Sequence, residues 1–375
     1  MLLNDDQIQV RDAMRDFSRR ELWPHAADWD RRHHFPNDVH QGLAALGAYG
    51  ICVPEQWGGA EMDYLTLAVV LEEIAAGDGG TSTVISVTNC PVNAILLRYG
   101  TDAQKKRWLT PLAQGQMLGA FCLTEPHVGS DASALRTTAV RQGDAYLING
   151  VKQFITSGKN AQLAIVIAVT DKGAGKKGMS AFIVPTDTPG YGVARLEDKL
   201  GQRSSDTAQI VLENCRIPAD HLIGREGEGY RVALSALEGG RIGIAAQSVG
   251  MARSALEVAI DYAKQRQSFG AAIIDHQAVG FRLAQCATEL EAARQLIWHA
   301  AALRDAGQPC LKEAAMAKLF ASEIAERVCS AAIQTLGGYG YVSDFPLERI
   351  YRDVRVCQIY EGTSDVQKII IQRAL

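Results

Sequence analysis

From Asp5 to about Gly119 apolar residues recur three or four positions apart, as at Leu65, Val69, Leu71 and Ile74 and again at Ile95 and Leu96. That spacing lays an apolar stripe along a helix, and clusters of Pro and Gly mark where each helix breaks. Between about Ala120 and Arg225 the period shortens. Runs rich in β-branched and aromatic residues, Tyr146–Ile148, Leu163–Val169, Ser180–Val184 and Ala208–Leu212, alternate with turn residues and predict strands. After Gly229 the pattern becomes long Ala-, Leu- and Glu-rich segments at about 230–265, 274–305, 311–336 and 346–358, with a last one from about 365. Such lengths suit antiparallel helices packed in a bundle.

The order helix, strand, helix predicts an α+β chain in three parts: all-α over 1–118, β over 119–225 and a helical bundle over 226–375. It does not alternate as a doubly wound nucleotide fold would, so a Rossmann domain is not expected. Gly173-Ala-Gly-Lys-Lys-Gly178 matches G-x-G-x-x-G but lies between two strand-like runs and opens no helix, so it reads as a hairpin loop.

Composition narrows the partners. A chain of 375 residues has room for two or three domains, and 47% apolar with 21% charged residues is ordinary for a globular protein. With 38 Lys+Arg against 42 Asp+Glu the net charge is −4, so no nucleic acid is expected and a phosphate-bearing ligand must be held locally. The longest apolar run, Leu163–Val169, falls far short of the roughly 20 residues of a membrane span, so stable membrane insertion is not expected. The start, Met-Leu-Leu-Asn-Asp-Asp, has the character of neither a secretory signal nor a transit peptide. The expected location is the cytoplasm, or the mitochondrial matrix if a transit peptide has been removed. Eight scattered cysteines without a C-x-x-C pair read as free thiols, and no metal site is expected.

Three stretches could carry chemistry. Glu361 lies between an arginine-rich helical segment, Arg349 to Gln358, and Ser364-x-x-Gln367, which reads as the capping box of a last helix. It therefore sits on a tight loop beside Gly362. Ile359 and Tyr360 are expected to surround the carboxylate with apolar surface and raise its pKa toward that of a general base, while the helix N-terminus favours the anion. The plainer alternative is a solvated carboxylate. Phe154-Ile155-Thr156 reads as the end of a strand that follows a turn at Asn149-Gly150, offering a planar face and a hydroxyl, or else a core Phe and a turn-capping Thr. Phe121 to Thr124 reads as a strand, with Ser130 on the turn after it.

Five motifs occur in order: Phe121-Cys-Leu-Thr-Glu-Pro-His-Val-Gly-Ser-Asp131, Phe154-Ile-Thr-Ser157, Arg266-Gln-Ser-Phe-Gly270, Gln334-Thr-Leu-Gly-Gly-Tyr-Gly340 and Ile359-Tyr-Glu-Gly-Thr-Ser364. Together they resemble the acyl-CoA dehydrogenase family, from about residue 5 to the C-terminus. The resemblance implies an N-terminal helical domain, a middle β-barrel-like domain and a C-terminal four-helix bundle, usually as a homotetramer, with FAD as cofactor. Glu361 then takes the position of the catalytic base. Some relatives carry the base on a long helix just before the arginine that here is Arg241, but this chain has Gly240 there. Nitroalkane-oxidising members carry Asp at the catalytic position, and the Glu argues against them.

The resemblance assigns Phe121, Leu123, Thr124, Ser130, Phe154, Ile155 and Thr156 to the flavin end of FAD, with Phe154 standing where many relatives have Trp. Arg266, Phe269, Gln277, Gln334, Gly337 and Gly338 are assigned to its ADP half, largely across a subunit interface, and Thr363 and Asp365 also to the cofactor. Ser130, Glu238, Arg241, Gln247, Tyr360 and Gly362 are assigned to the acyl-CoA. Gly240 and Gly243 leave either a slot for the acyl chain or a tight helix contact. Gln247 resembles the polar residue that closes the pocket floor in short-chain members, which implies acyl groups of roughly four carbons. No arginine stands near Ser82 to greet a dicarboxylyl tail. The implied reaction is α,β-dehydrogenation to the trans-2-enoyl-CoA, Glu361 taking the α-proton while the β-hydride goes to the flavin and electrons then pass to an electron-transferring flavoprotein. Alternatives are a branched short-chain dehydrogenase, an acyl-CoA oxidase or a catalytically silent acyl-CoA- or flavin-binding scaffold.

Overall fold

A computed structural model describes residues 2–375. Helix α1 (Asp5–Phe17) begins with a reciprocal cap, Asn4 accepting from the Gln7 N–H while Gln7 accepts from the Asn4 N–H. Helix α2 (Tyr64–Gly77) is capped by Asp63 and buried on nearly every side. A helix apolar all round belongs in a core, and α2 packs against α1 on one side and the C-terminal helices on the other. Its two acidic residues are buried with partners: Glu72 pairs with Arg294 at 2.8 Å and Arg253 at 3.1 Å, and Glu73 pairs with Arg253 and Arg15, each at 2.7 Å. These pairs fasten the N-terminal helices to the rest of the chain. Helix α3 (Gly79–Val87) follows directly.

The middle segment forms one sheet from β1 (Gly119–Cys122), β2 (Thr138–Gln142), β3 (Ala145–Thr156), β4 (Leu163–Val169), β5 (Met179–Pro185), β6 (Tyr191–Leu196), β7 (Thr207–Pro218) and β8 (Leu222–Ile223). The spatial order is β6-β7-β3-β2-β4-β5-β8, with β1 lying parallel along β4. Leu163, Ile165 and Ile167 face one core and Ala164, Val166 and Ala168 another, so β4 is apolar at both periods because both its faces are covered. Two local expectations change. Asn149-Gly150 is not a turn; β3 runs straight through it with a register shift against β7, where Asn149 Oδ1 accepts from the Asn214 N–H. The first strand ends at Cys122, leaving Leu123 and Thr124 beyond it. Gly173–Gly178 forms the loop between β4 and β5.

Helix α4 (Gly229–Gln265) is the spine of the last part, joined by α5 (Gln277–Asp305), α6 (Leu311–Leu336) and the short α7 (Leu347–Val354) and α8 (Ser364–Arg373). A side chain at Gly250 would strike the Glu72 carbonyl of α2, and one at Gly243 would meet Ser86 Oγ at 2.8 Å. Gly243 therefore serves helix contact, not an acyl slot. All eight cysteines are free. Among the described residues no helix is long and apolar enough to cross a membrane, and no cluster of side chains could hold a metal ion.

Candidate active site

Glu361 occupies the loop between a short helical turn, Arg355–Gln358, and α8. Its φ is +55° and that of Gly362 is +90°, two consecutive left-handed residues of which only the second is conformationally cheap. The turn is held from behind. Gln367 Nε2 donates to the Glu361 carbonyl at 3.3 Å and to the Gly362 carbonyl at 2.8 Å, and Lys318 Nζ donates to the Gly362 carbonyl at 2.8 Å. The cap of α8 is Thr363, whose hydroxyl accepts from the Val366 N–H, and not Ser364 as the spacing suggests. Thr363 has extended backbone (φ −58°, ψ 165°), as an N-cap requires, whereas Ser364 is already helical and its buried hydroxyl has no partner.

The carboxylate itself lies on the backbone of α4. A Cβ at Gly240 would stand 2.7 Å from Glu361 Cδ and 2.9 Å from Oε1, so the glycine opens the seat that the carboxylate fills. Ile359 is 53% exposed and points away, contrary to the expected apolar surround. Burial against the helix nevertheless pushes the Glu361 pKa up to about 7, against the pull of the Arg241 and Lys318 charges. Glu361 Oε2 and the Nε and Nη1 of Arg241 are all sealed from solvent without a hydrogen-bond partner. Arg241 is 4% exposed and so is no surface residue of α4. Unpartnered charged groups of opposite sign, buried close together, are costly in a merely structural role and mark a place built for a polar ligand.

Two helical turns further along α4, about 10 Å from Gly240, stands the fully buried Gln247. Its Nε2 donates to the Gly79 carbonyl at 2.7 Å and to Thr83 Oγ1 at 2.5 Å, and its Oε1 accepts from the Tyr360 hydroxyl at 2.5 Å. Gln202 closes the ring, accepting from Thr83 Oγ1 at 2.6 Å and donating to the Tyr360 oxygen at 3.4 Å. Every polar atom of the Gln247 amide is used internally, so this wall presents no spare donor. Glu238 parts company with Arg241: its Oε1 accepts from Arg304 Nη1 at 3.1 Å and from the Cys310 thiol at 3.4 Å.

The sheet residues form a second group. The Leu123 carbonyl accepts from Lys152 Nζ at 3.1 Å and the Thr124 carbonyl from the Gln153 N–H at 2.9 Å, which fixes the backbone after β1. Lys152 is wholly buried and paired with Glu125 at 3.0 Å. Phe154 is 62% exposed at φ +58°, a large apolar ring held outward in a strained conformation. The Ile155 side chain instead fills the inner core of the sheet, so only its backbone can face a ligand. Phe121, Thr124 and Thr156 are half-buried and Ser130 is exposed. A third group lies at the far end of the bundle, where Arg266, Gln334, Gly337 and Gly338 line a hollow of about 570 Å³. Nothing stands within 4 Å of where a Cβ would be at Gly337 or Gly338, so their backbone is open to close approach. Phe269 is fully exposed at φ +48°, and Gln277 begins α5 exposed. The hollow includes no residue of 121–156 or 359–365. Asp365 is exposed, 3.8 Å from Lys368.

Lys318, Thr83, Gln202 and Lys152 are the participants that the sequence pattern does not single out, and Gly240 and Gln367 are noted there in other roles. A lone Lys or Gln on a helix carries no signal of being buried.

A helix–sheet–helix chain that buries an unpartnered carboxylate beside an arginine, with exposed aromatic faces and an open glycine cradle elsewhere, has the parts for proton-transfer chemistry beside a large planar ligand. The chain belongs to the acyl-CoA dehydrogenase family, whose N-terminal, middle and C-terminal domains match residues 4–116, 120–215 and 227–375. Members of this family are FAD-dependent oxidoreductases that act on CH–CH bonds. The chain is 46% identical over 357 residues to the mitochondrial short-chain specific acyl-CoA dehydrogenase of Homo sapiens, covering 95% of this chain and 87% of that one. Butyryl-CoA dehydrogenase from Megasphaera elsdenii superposes with a TM-score of 0.98 at 39% identity, covering 100% of this chain and 99% of that one. A chain of the structure described as the electron transferring flavoprotein of Acidaminococcus fermentans superposes with a TM-score of 0.99 at 43% identity, covering 100% and 98%. The groups described above fit FAD: an arginine fork and bare glycine backbone suit a diphosphate, and exposed aromatic rings suit a flat ring system.

Proposed function

We propose that the protein removes one hydrogen from each of Cα and Cβ of a short acyl-CoA of about four carbons, giving the trans-2-enoyl thioester, with Glu361 as the base. The observation that carries this reading is the Glu361 carboxylate, seated on Gly240 with Oε2 free of any protein donor and its pKa near 7. A carboxylate so placed accepts a proton at neutral pH without first breaking an ion pair. The α-proton of a thioester is weakly acidic, so negative charge growing on the carbonyl oxygen needs a donor as the proton leaves. Among the described residues no protein acceptor takes the Glu361 backbone N–H, which suits it to that role. Arg241 offers its unpartnered N–H groups beside the same carboxylate, and the half-exposed Glu238 suits the CoA end.

Bound FAD supplies the acceptor for the β-hydrogen and its electron pair. Phe121, Leu123, Thr124, Ser130, Phe154, the Ile155 backbone and Thr156 are the residues for its flavin end, Arg266, Phe269, Gln277, Gln334, Gly337 and Gly338 those for its ADP half, and Thr363 and Asp365 further contacts. Because the hollow lined by Arg266, Gln334, Gly337 and Gly338 includes none of the flavin-end residues, a second copy would complete each site, in keeping with a homotetramer. Arg266→Ala is expected to lower retained FAD at least tenfold on gel filtration at low protein concentration while the far-ultraviolet circular dichroism is unchanged; full FAD content would remove Arg266 from the site.

Substrate length is read from the wall made by Gln247, Tyr360, Thr83 and Gln202. Gln247→Ala is expected to move the preference for acyl length upward, raising kcat/KM for hexanoyl-CoA relative to butyryl-CoA by about 10-fold or more. The same change removes the acceptor of the Tyr360 hydroxyl, at about 1–3 kcal/mol of stability. An unchanged profile across a panel of acyl-CoA thioesters would remove Gln247 from the pocket. Delivery of electrons to an electron-transferring flavoprotein is supported by the likeness to the Acidaminococcus fermentans structure.

A further inference from the structure

We propose that Lys318 is a positioning residue for the base: from the N-terminal third of α6 its ammonium holds the Glu361–Gly362 turn and places a positive charge behind the carboxylate. The proposal rests on Glu361 being the base. Lys318 is 0% exposed and forms no ion pair among the described residues; its bond is the one from Nζ to the Gly362 carbonyl at 2.8 Å. Burying an ammonium without a paired anion is expensive, and an apolar residue would fill the same volume at less cost. The expense shows in its pKa, which burial pushes down to about 8.

What the ammonium does there follows from the turn. Gln367, also 0% exposed, already donates to both carbonyls of the two left-handed residues, so a neutral donor is present without Lys318. Lys318 adds charge. The ionisable groups around the pair are Arg241 and Glu238 from α4, Cys90 from the segment after α3, Cys357 from the turn before Glu361, and Glu323 on α6 itself. Of these only Arg241 shares Lys318's sign, and the two cations pull the Glu361 carboxyl down against burial. Lys318 thus performs two tasks on one atom, fixing where the carboxylate emerges from the backbone and favouring its charged form.

The test uses holoenzyme bearing Lys318→Met or Lys318→Gln, mixed rapidly and anaerobically with butyryl-CoA across pH 5–9. Lys318→Met is expected to shift the acid limb of flavin reduction upward by about one pH unit and to lower its plateau at least tenfold, with FAD content unchanged. Lys318→Gln keeps a donor but no charge, so it should recover the plateau while the limb stays shifted. A limb that moves in neither variant would overturn the proposal. A readout on the native lysine covers failure of both variants to fold. With 15N-labelled lysine, the Lys318 signal should titrate at lower pH in Glu361→Gln than in the wild type, because the neighbouring anion is gone; an equal midpoint would likewise overturn it. Should Glu361→Gln itself reduce the flavin normally, the assignment of the base falls, an outcome distinct from either failure of Lys318.

Discussion

Glu361→Gln is expected to abolish flavin reduction by butyryl-CoA, by on the order of 10²–10⁴-fold or more, while FAD content and acyl-CoA binding persist. The amide keeps the shape of the side chain and its seat on Gly240 but cannot take a proton. A second consequence runs the other way. A carboxyl group that ionises near 7 in the folded chain but near 4.5 in the unfolded one costs nothing below pH 4.5, where both states are protonated. Between those values the unfolded state releases its proton first, and stability falls as pH rises, by up to about 3 kcal/mol once pH exceeds 7. Glu361→Gln removes that loss. The inactive variant should therefore melt at a higher temperature than the wild type at pH 8, and the difference should vanish toward pH 4.5. Thermal denaturation at several pH values decides this; equal melting at pH 8 would mean that the carboxylate is not buried as described.

Gly240→Ala is expected to cost about 10²-fold in the rate of flavin reduction without harming the fold. The new methyl group would stand 2.7 Å from Glu361 Cδ, and what must yield is the end of a flexible side chain, not the helix. A base pushed aside by about 1 Å loses its line to the α-carbon, a displacement of the size that costs two orders of magnitude. Alanine also suits a helix interior better than glycine, by about 1 kcal/mol, so stability should hold or rise. FAD content and melting temperature measured beside the reduction rate separate the two effects. Wild-type reduction by this variant would show that the carboxylate does not use the Gly240 seat.

The three-part architecture is legible in the chain because each part has one dominant period, and the strand run Leu163–Val169 is legible because both its faces are covered. Glu361 is legible only through its motif. Taken singly, a Glu on a loop has no mark of burial, and the residue that buries it is 121 positions away at Gly240, where the missing side chain looks like an empty slot or an absent rival base. Lys318 and Lys152 escape for the same reason: burial of a lysine is decided by packing that no local pattern encodes. The cap at Thr363 was hidden by a neighbouring hydroxyl at Ser364, and only backbone dihedrals tell the two apart. Asn149-Gly150 has the composition of a turn, yet the pairing of β3 with β7 on both sides of it keeps the strand going. Long-range closure overrides local propensity there.

Removal of the α-proton by Glu361 can be read by hydrogen exchange, without reference to any later electron transfer. Holoenzyme should be incubated anaerobically in D₂O with a butyryl-CoA analogue carrying sulfur in place of its β-carbon, which can lose an α-proton but has no β-hydrogen to give up. Deuterium at the α-carbon is then followed by mass spectrometry. The wild type is expected to wash deuterium in, with a rate that rises through pH 7, and Glu361→Gln is expected to leave the α-position at the uncatalysed rate. Equal incorporation by the two proteins would contradict the assignment of Glu361 as the base.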